Sequence, residues 1–428
     1  MKNEEFAAAL PGQDASCREA SLPDSVATDR QEEINVDERS EEPKRGSKFF
    51  ILHSSFFILK NSETQAMRGL AILGIVLHNY CHFIGKIVKE NEYQYLEMNN
   101  DRLWHVLTHP DALLPVHLLS YFGHYGVPVF LFLSGYGLVR KYEGSSETVA
   151  SLPFLRYHYL KLLRMLIVGF SMFLVVDAVT PGRFAFEWEH VAAQLLMVIN
   201  VLPEPDRIIW PGIYWFFGLM MELYLVYRLL LYRRSNWLAV GLMLVCWLLQ
   251  AVCLPDGETL NRLRYNCIGG MLPFVMGILE GRGKRGEVRE YSEASSSAER
   301  RADAAYRSDL LPLTSYLSPL KFLSLLILPL IVFCLCLNFQ TWLWVPAIVV
   351  LATVMLVKSM PAVVLRLFVW LGSISAAMFV AHPIARKLFI TVAWKQDIYD
   401  GLMLYVIGTI ALSWAVKQII DRLPKPSL

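Results

Sequence analysis

The chain has 428 residues, of which 55% are hydrophobic and 18% are charged. It carries more apolar surface than a water-soluble core of this size needs, which excludes an ordinary cytosolic enzyme. The 40 basic residues nearly balance the 38 acidic ones. Without a basic excess or a nucleic-acid motif, we expect no DNA or RNA partner. The seven cysteines are an odd number and mostly lie in apolar runs, so neither a disulfide framework nor a metal site is expected.

The N-terminal part of the chain is polar. Residues 1–48 lack apolar periodicity and cannot bury enough surface to offset the entropy of ordering, which predicts a disordered tail. The sequence FFIL of residues 49–52 returns at 56–59, and we expect 49–60 to be an interfacial segment because it is too short to span a bilayer. No cleavable signal peptide is expected before it. Residues 61–428 are predicted to form one membrane domain.

Ten apolar runs predict transmembrane helices, since about 20 apolar residues span a bilayer. They lie near residues 66–85, 120–139, 160–180, 213–232, 237–254, 265–280, 319–338, 342–357, 365–390 and 402–420. The fold class is therefore all-α, a polytopic integral membrane protein whose membrane lipids are its first partners.

Charge bias decides whether residues 188–203 form an eleventh span. If they do not cross, the basic loops after the second, fourth, sixth and eighth spans share one side, which is the cytoplasm by the positive-inside rule. If they cross, two of these basic loops move outside. We therefore predict ten spans, both termini in the cytoplasm, and 188–203 as an interfacial or re-entrant helix. The charged, Ser- and Ala-rich residues 281–312 predict a flexible cytoplasmic linker.

The first span carries four polar side chains on one helical stripe. At about 100° per residue, Arg68, His78, Asn79 and His82 share a face, and His78 lies about 15 Å along the axis from Arg68. Ionisable groups at such depth cost several kcal/mol unless they face a cavity or a partner, so they are functional candidates. The alternative is structural, with Arg68 at the lipid headgroups and the histidines bonding across helices.

Other spans carry further polar groups. Glu222 lies near the middle of the fourth span, where a carboxyl can orient an imidazole or transfer a proton. His382 precedes Pro383 in the ninth span, at the depth of His78, and Pro locally frees backbone groups that shape a cavity. The second span contains several small residues, which permit close helix packing. They are Gly123, Gly126, Pro128, Gly135 and Gly137.

Basic side chains gather at the predicted cytoplasmic ends of the first three spans. Lys161 and Arg164 open the third span, where with Arg68 and Arg140 they can form a cationic collar for a phosphorylated ligand. The alternative interpretation is ordinary positive-inside anchoring.

Five stretches, in this order, resemble the membrane acyltransferase-3 family of multi-pass bacterial O-acyltransferases. They are MRGLAILGIVLHN, FGHYGVPVFLFLSGYGL, the F-x(6)-K-x-x-R pattern from Phe154 to Arg164, YWFFGLMMELYLVY and LGSISAAMFVAHP. Each is a loose hydrophobic pattern, but their order and spacing over residues 62–420 are fairly specific. The resemblance implies an acyl-CoA donor, commonly acetyl-CoA, used from the cytoplasm as co-substrate with no bound cofactor. It also implies a hydroxyl acceptor on a sugar or lipid-linked glycan, and the plasma membrane, the bacterial inner membrane, as location.

The stripe, the collar and the resemblance together define candidate site residues. Those expected to be catalytic are His78, His382 and Glu222. Those expected to bind the donor are Arg68, Lys161, Arg164 and Ser134. Those expected to line the site are Asn79, His82, Tyr214, Trp215 and Tyr224.

One departure from the family pattern leaves the catalytic position open. In many members the first-span His lies eleven residues after the Arg, which here is Asn79, whereas His78 lies ten after Arg68. The catalytic position is occupied by His78, is shared between His78 and His82, or is occupied by the family-aligned Asn79. In our hypothesis His78 is a general base or a transient acyl carrier, because an imidazole exchanges protons near neutral pH.

Two other functions are compatible with the sequence. A proton-coupled secondary transporter of a small solute would also place His, Glu and Arg inside the membrane, but no internal repeat is evident. An accessory protein that scaffolds glycan assembly or export proteins would leave the buried titratable stripe unexplained. The acyl group, the acceptor and the oligomeric state are not indicated by the sequence.

Overall fold

The computed structural model describes residues 59–144, 148–294, 318–395 and 397–427. Every regular element in these ranges is helical, which confirms the predicted all-α fold class for this part of the chain. The α-helices are α1 (Asn61–Cys81), α2 (Glu97–Thr108), α3 (Leu114–Phe122), α4 (Gly126–Leu138), α5 (Ser151–Val179), α6 (Trp188–Leu195), α7 (Pro205–Ile208), α8 (Trp215–Val226), α9 (Asn236–Ala251), α10 (Glu258–Tyr265), α11 (Cys267–Ala294), α12 (Ser318–Cys336), α13 (Phe339–Trp342), α14 (Val345–Ser359), α15 (Ala362–Lys395) and α16 (Ile398–Arg422). Tighter 3₁₀ turns lie at Gly123–Tyr125, Ile199–Val201 and Gly212–Tyr214, and π-helical turns at Val139–Glu143 and Tyr227–Leu231.

All ten apolar runs fall on helices, but not all of these helices have the length and composition of a membrane span. Among the described residues, five segments do. They are Leu114–Glu143, Ser151–Val179, Gly212–Leu231, Ala362–Val392 and Ile398–Arg422. The helices α9 and α14 are apolar but shorter. The chain therefore has the character of a membrane protein, while the number of spans and their orientation stay predictions.

Two predicted segments differ in extent from the helices found. The segment 188–203 contains the eight-residue helix α6 and the 3₁₀ turn Ile199–Val201, and the length of α6, about 12 Å, is far short of a bilayer core. Helix α11 continues to Ala294, into the predicted linker, and residues 295–317 lie outside the described ranges. The predicted tail, 1–48, and most of the predicted interfacial segment also lie outside them.

Side-chain carboxylates cap the beginnings of two helices. The carboxylate of Glu63 accepts the backbone N–H of Lys60 at 2.7 Å and begins α1 as part of a capping box. The carboxylate of Asp397 accepts the N–H groups of Tyr399 and Asp400 at 2.7 and 3.2 Å at the start of α16. Such bonds satisfy backbone donors that an isolated helix end leaves unpaired.

Helix α1 lies between α4 and α15, and glycines make both contacts close. A Cβ on Gly372 of α15 would overlap the carbonyl oxygen of Gln65, and one on Gly126 of α4 would overlap that of Ala71. Small residues let helix backbones approach in this way. By contrast, Gly137 meets nothing within 4 Å, so only part of the small-residue set in the predicted second span serves packing.

The two π-helical turns meet at a buried ion pair. The guanidinium of Arg282 donates to both carboxylate oxygens of Glu143 at 2.8 and 2.9 Å, and the hydroxyl of Tyr227 donates to the same carboxylate at 3.2 Å. A bidentate pair of this kind is geometrically specific. It connects the turns that follow α4 and α8 with the interior of α11.

Candidate functional site

A cavity of about 250 Å³ lies where α1 ends, α8 begins and the middle of α15 passes. Its wall combines histidines, one arginine, two carboxyls and many aromatic rings. The lining residues are Ile75, His78, Asn79, His82, Phe83, Asn91, Glu92, Tyr93, His124, Val127, Asp206, Trp210, Gly212, Ile213, Trp215, Phe216, Tyr265, Phe379 and Arg386. A concave, mostly apolar pocket with a few converging polar groups is the usual form of a small-molecule site.

Three histidine rings cluster at one side of this cavity. The ring centroid of His78 lies 5.0 Å from that of His82 and 5.3 Å from that of His124. The Nδ1–H of His78 donates to the carbonyl oxygen of Ser120 at 2.7 Å. Since a carbonyl only accepts, the proton lies on Nδ1 and Nε2 carries the lone pair. The His78 imidazole is thus held in the tautomer that a general base requires.

Close backbone contact brings these rings together. A Cβ on Gly123 would lie 2.7 Å from the Cβ of His78 and 2.5 Å from the carbonyl oxygen of Gly74 in the same helix. Gly123 begins the 3₁₀ turn that carries His124. The absence of a side chain at this position lets the turn approach α1 closely enough for the two imidazoles to meet.

Arg386 forms the polar wall beside this cluster. Its guanidinium donates to the side-chain oxygen of Asn79 at 3.1 Å and lies 3.7 Å from the ring centroid of Phe83. The side-chain N–H of Asn79 in turn donates to the carbonyl of Ile75 at 3.1 Å. Asn79, which lies eleven residues after Arg68, therefore orients an arginine in this chain.

His382 lies close to the cavity without lining it. It is fully buried, and its Nδ1–H donates to the carbonyl of Met378 in the same helix at 3.0 Å. Its ring centroid lies 6.1 Å from that of Phe379, which does line the cavity. Because Arg386 follows one turn later on the same helix, His382 stands behind the wall that Phe379 and Arg386 form.

Glu222 is not brought to the histidine cluster. Its carboxylate accepts the backbone N–H of Cys267 at 2.6 Å, at the first residue of α11. An acidic group there compensates the positive end of the helix dipole. The contacts thus favour helix capping for Glu222 over the orienting role expected from its depth in the fourth span.

The predicted donor-binding residues divide into two groups. Arg68 lies within electrostatic range of Lys161 and also of Tyr224, which was predicted to line the site. Arg164 instead donates to the carbonyls of Ile420 and Leu423 at 2.6 and 3.0 Å, which caps the end of α16.

The remaining predicted residues also divide. The hydroxyl of Ser134 donates to the carbonyl of Phe130, within its own helix, at 2.8 Å. Trp215 lines the cavity as expected. Tyr214 does not, because its hydroxyl donates to the carbonyl of Val380 at 3.0 Å between α8 and α15.

Several lining residues were not among the sequence candidates. The α1–α2 loop, residues 82–96, contributes Glu92 and Tyr93, and the segment before α8 contributes Asp206 and Trp210. Loops and a single helical turn such as α7 carry no periodicity that would indicate a common face. Arg386 had a usable signal, since it follows His382 by four residues and so shares its side of the helix.

The α1–α2 loop is fixed by buried polar contacts. Arg264 of α10 donates to the carbonyl of Glu92 and, at 2.9 Å, to the side chain of Gln250. The rings of Tyr93 and Tyr265 stack with centroids 4.0 Å apart. Burial raises the pKa of the Glu92 carboxyl to about 7, with the Arg264 charge opposing that shift. The cavity wall thus contains a carboxyl that titrates near neutral pH.

A second loop carboxyl predicts a pH-dependent stability. Burial raises the pKa of Glu90 from its ordinary value of 4.5 to about 8, although Asn99 donates to it at 3.1 Å. The folded chain therefore keeps this proton where the unfolded chain has lost it. Its contribution to stability is full below pH 4.5 and is lost as pH rises to about 8.

We expect Glu90→Gln to remove this dependence. Between about pH 5 and about pH 8, the unfolding temperature of the variant should rise relative to that of the wild type. Each unit of pKa difference between the folded and unfolded chain corresponds to about 1.4 kcal/mol of stability. Thermal unfolding in detergent measures it, with exposed Glu97→Gln as the control. A constant difference between Glu90→Gln and wild type across this range would contradict the prediction.

Despite the three clustered histidines, the described part of the chain contains no group of three or more His, Cys, Asp or Glu side chains able to hold a metal ion. The site offers instead a base, a guanidinium, carboxyls and aromatic rings. These groups suit proton transfer and the binding of polar organic molecules.

Comparison with known proteins identifies the family. No curated protein and no solved structure matches the chain. The family model described as an acyltransferase domain, that of the acyltransferase-3 family, matches residues 61–417. This range includes α1 with His78 and α15 with His382 and Arg386, and it covers most of the chain. The chain belongs to the acyltransferase-3 family.

Proposed function

We propose that this protein is an O-acyltransferase of the bacterial inner membrane. It moves an acyl group, most simply acetyl, from cytosolic acyl-CoA to a hydroxyl of a surface polysaccharide or lipid-linked glycan. The observation that carries the proposal is the His78 imidazole, whose Nδ1–H is bound by the Ser120 carbonyl and which lines a cavity large enough for part of a substrate.

The proposed reaction is a direct transfer. Nε2 of His78 takes the proton of the acceptor hydroxyl while the hydroxyl oxygen bonds to the thioester carbonyl carbon. The carbon–sulfur bond then breaks, and the departing CoA sulfur takes the proton back from His78. The products are an ester and free CoA, and the imidazole returns to its starting tautomer.

The donor is proposed to enter from the end where α1 begins. Arg68 and Lys161, which lie within electrostatic range of each other, are the cations proposed to bind the CoA phosphates. Aromatic rings surround them, with His158 and Tyr224 at a centroid distance of 4.2 Å and the Lys141 ammonium 4.3 Å from the ring of Tyr157. The pantetheine arm then covers the helix rise of about 15 Å from Arg68 to His78.

The acceptor is proposed to occupy the cavity from its other side. Glu92 and Asp206 supply carboxylate acceptors for hydroxyl groups, and Trp210 and Trp215 supply aromatic surface. Aromatic rings combine a large apolar face with a polar edge, which suits the two faces of a sugar ring.

Acyl transfer in proteoliposomes tests this function. Labelled acetyl-CoA is supplied on one face and a lipid-linked glycan extract as acceptor, for wild type, Arg68→Ala and the exposed control Arg366→Ala. We expect label in the glycan fraction and a KM for acetyl-CoA that rises at least about tenfold in Arg68→Ala, because a charged hydrogen bond contributes about 1.5–3 kcal/mol.

Other results would exclude the proposal or its donor site. A KM equal in Arg68→Ala and Arg366→Ala would remove Arg68 from the donor site. No label transfer, with solute uptake driven by a pH gradient in the same vesicles, would identify a proton-coupled transporter. The histidine cluster would then be part of a proton path.

A further inference from the structure

We infer that Arg386 is an anion-binding group of the cavity, and that its ligand is a negatively charged oxygen of the reactants. The inference begins from a charge without a counter-charge. Arg386 is only 7% exposed, yet in the described ranges no carboxylate lies within 4 Å of its guanidinium. Burying a guanidinium is costly unless a partner neutralises it.

The contacts that Arg386 makes are neutral. They are the side-chain oxygen of Asn79 at 3.1 Å, the carbonyl of the same residue at 3.5 Å, and the ring of Phe83. A guanidinium has five N–H donors, and one residue accepts the bonds found here. Arg282, also buried, shows the contrast because both oxygens of Glu143 accept from it.

Its position indicates what the unmatched charge is for. Arg386 lines the cavity together with His78, and Asn79 holds its guanidinium in place at that wall. Charged hydrogen bonds to an anionic oxygen are the strongest that a guanidinium forms. An oxygen that acquires negative charge inside this cavity therefore completes the arrangement.

Two oxygens of the reactants have this chemistry, and assigning either of them to Arg386 rests on the proposed function. The first is the thioester carbonyl oxygen, which takes the carbonyl electron pair when the acceptor oxygen bonds to the carbon and returns it when the sulfur leaves. The second is a permanent carboxylate or phosphate on the acceptor. In each case an N–H of Arg386 donates to the charged oxygen.

Kinetics of Arg386→Gln and Arg386→Lys in the full chain, with exposed Arg366→Gln of the same helix as control, test the inference. Acetyl-CoA is the donor, and the acceptors are water, p-nitrophenyl glucoside and p-nitrophenyl glucuronide. We expect Arg386→Gln to lower kcat about 10²–10³-fold with KM for acetyl-CoA unchanged, and Arg386→Lys to recover part of it. A loss with every acceptor, water included, identifies the carbonyl oxygen, and a loss with the glucuronide alone identifies an acceptor charge.

Equal kcat in Arg386→Gln and Arg366→Gln with all acceptors would overturn the inference. So would a fall in the unfolding temperature of Arg386→Gln, since a buried unmatched charge does not stabilise the fold and its removal should leave that temperature equal or higher. If the wild type neither transfers acetyl groups nor hydrolyses acetyl-CoA, the proposed function fails, and the inference about Arg386 is then tested by anion binding alone. Phosphate or acetate should then raise the unfolding temperature of wild type and not of Arg386→Gln, and an equal response in both would overturn the inference.

Discussion

Replacing His78 by Asn should abolish most acyl transfer and leave acyl-CoA binding intact. The amide N–H of Asn can still donate to the carbonyl of Ser120, as Nδ1 of His78 does at 2.7 Å, so the local structure is kept. What the variant lacks is the basic nitrogen. A positioned general base contributes about 10²–10⁴-fold to rate, and we expect kcat to fall within that range.

Two matched variants locate the effect. His82→Gln removes the neighbouring imidazole, 5.0 Å away between ring centroids, and should cost less than about tenfold, because His78 stays in place as the base. The exposed His105→Gln should have no effect. Binding of CoA, followed by calorimetry, should be equal in all of them. Full activity in His78→Asn together with loss in His82→Gln would transfer the catalytic role to His82.

The sequence predicted the helices well because they depend on local patterns. Apolar runs mark a helix wherever one is long enough, and a rise of about 1.5 Å per residue gives the spacing of polar groups along it. Of the four residues predicted to share a face, His78, Asn79 and His82 line the cavity and Arg68 does not. These four residues are close in sequence, so no knowledge of the packing was needed to group them.

Depth alone does not say which neighbour a side chain meets. Glu222 lies in an apolar helical segment of the length of a membrane span, as predicted, but its carboxylate meets the first residue of α11, and Arg164 meets the end of α16. Both contacts join residues distant in sequence, at helix ends whose exposed backbone groups attract charge. A sequence identifies the charge in such a case and leaves its partner open.

The missed residues have a related cause. Glu92 reaches the cavity from a loop and Asp206 from the four-residue helix α7, and Arg386 reaches it because α15 packs tightly on α1. That packing depends on glycines whose close contacts span more than 300 positions along the chain, as Gly372 and Gln65 illustrate. The site is therefore a product of helix packing as much as of any one motif.

Gly372→Ala tests this dependence. The added Cβ would overlap the carbonyl oxygen of Gln65 and lie 2.8 Å from its carbonyl carbon. Backbone cannot turn aside as a flexible side chain can, so α1 and α15 must separate. Overpacking of this kind costs about 1–3 kcal/mol, partly offset by the better helix propensity of Ala, about 1 kcal/mol.

The matched control is Gly241→Ala in α9, where nothing lies within 4 Å of the added Cβ. There the propensity gain acts alone, so the unfolding temperature should be equal to or above that of wild type. That of Gly372→Ala should be lower, and its transfer activity should also fall, because His78 and Arg386 lie on the two helices that separate. If Gly372→Ala had the same unfolding temperature as Gly241→Ala and kept full activity, the site would not depend on close packing of α1 on α15.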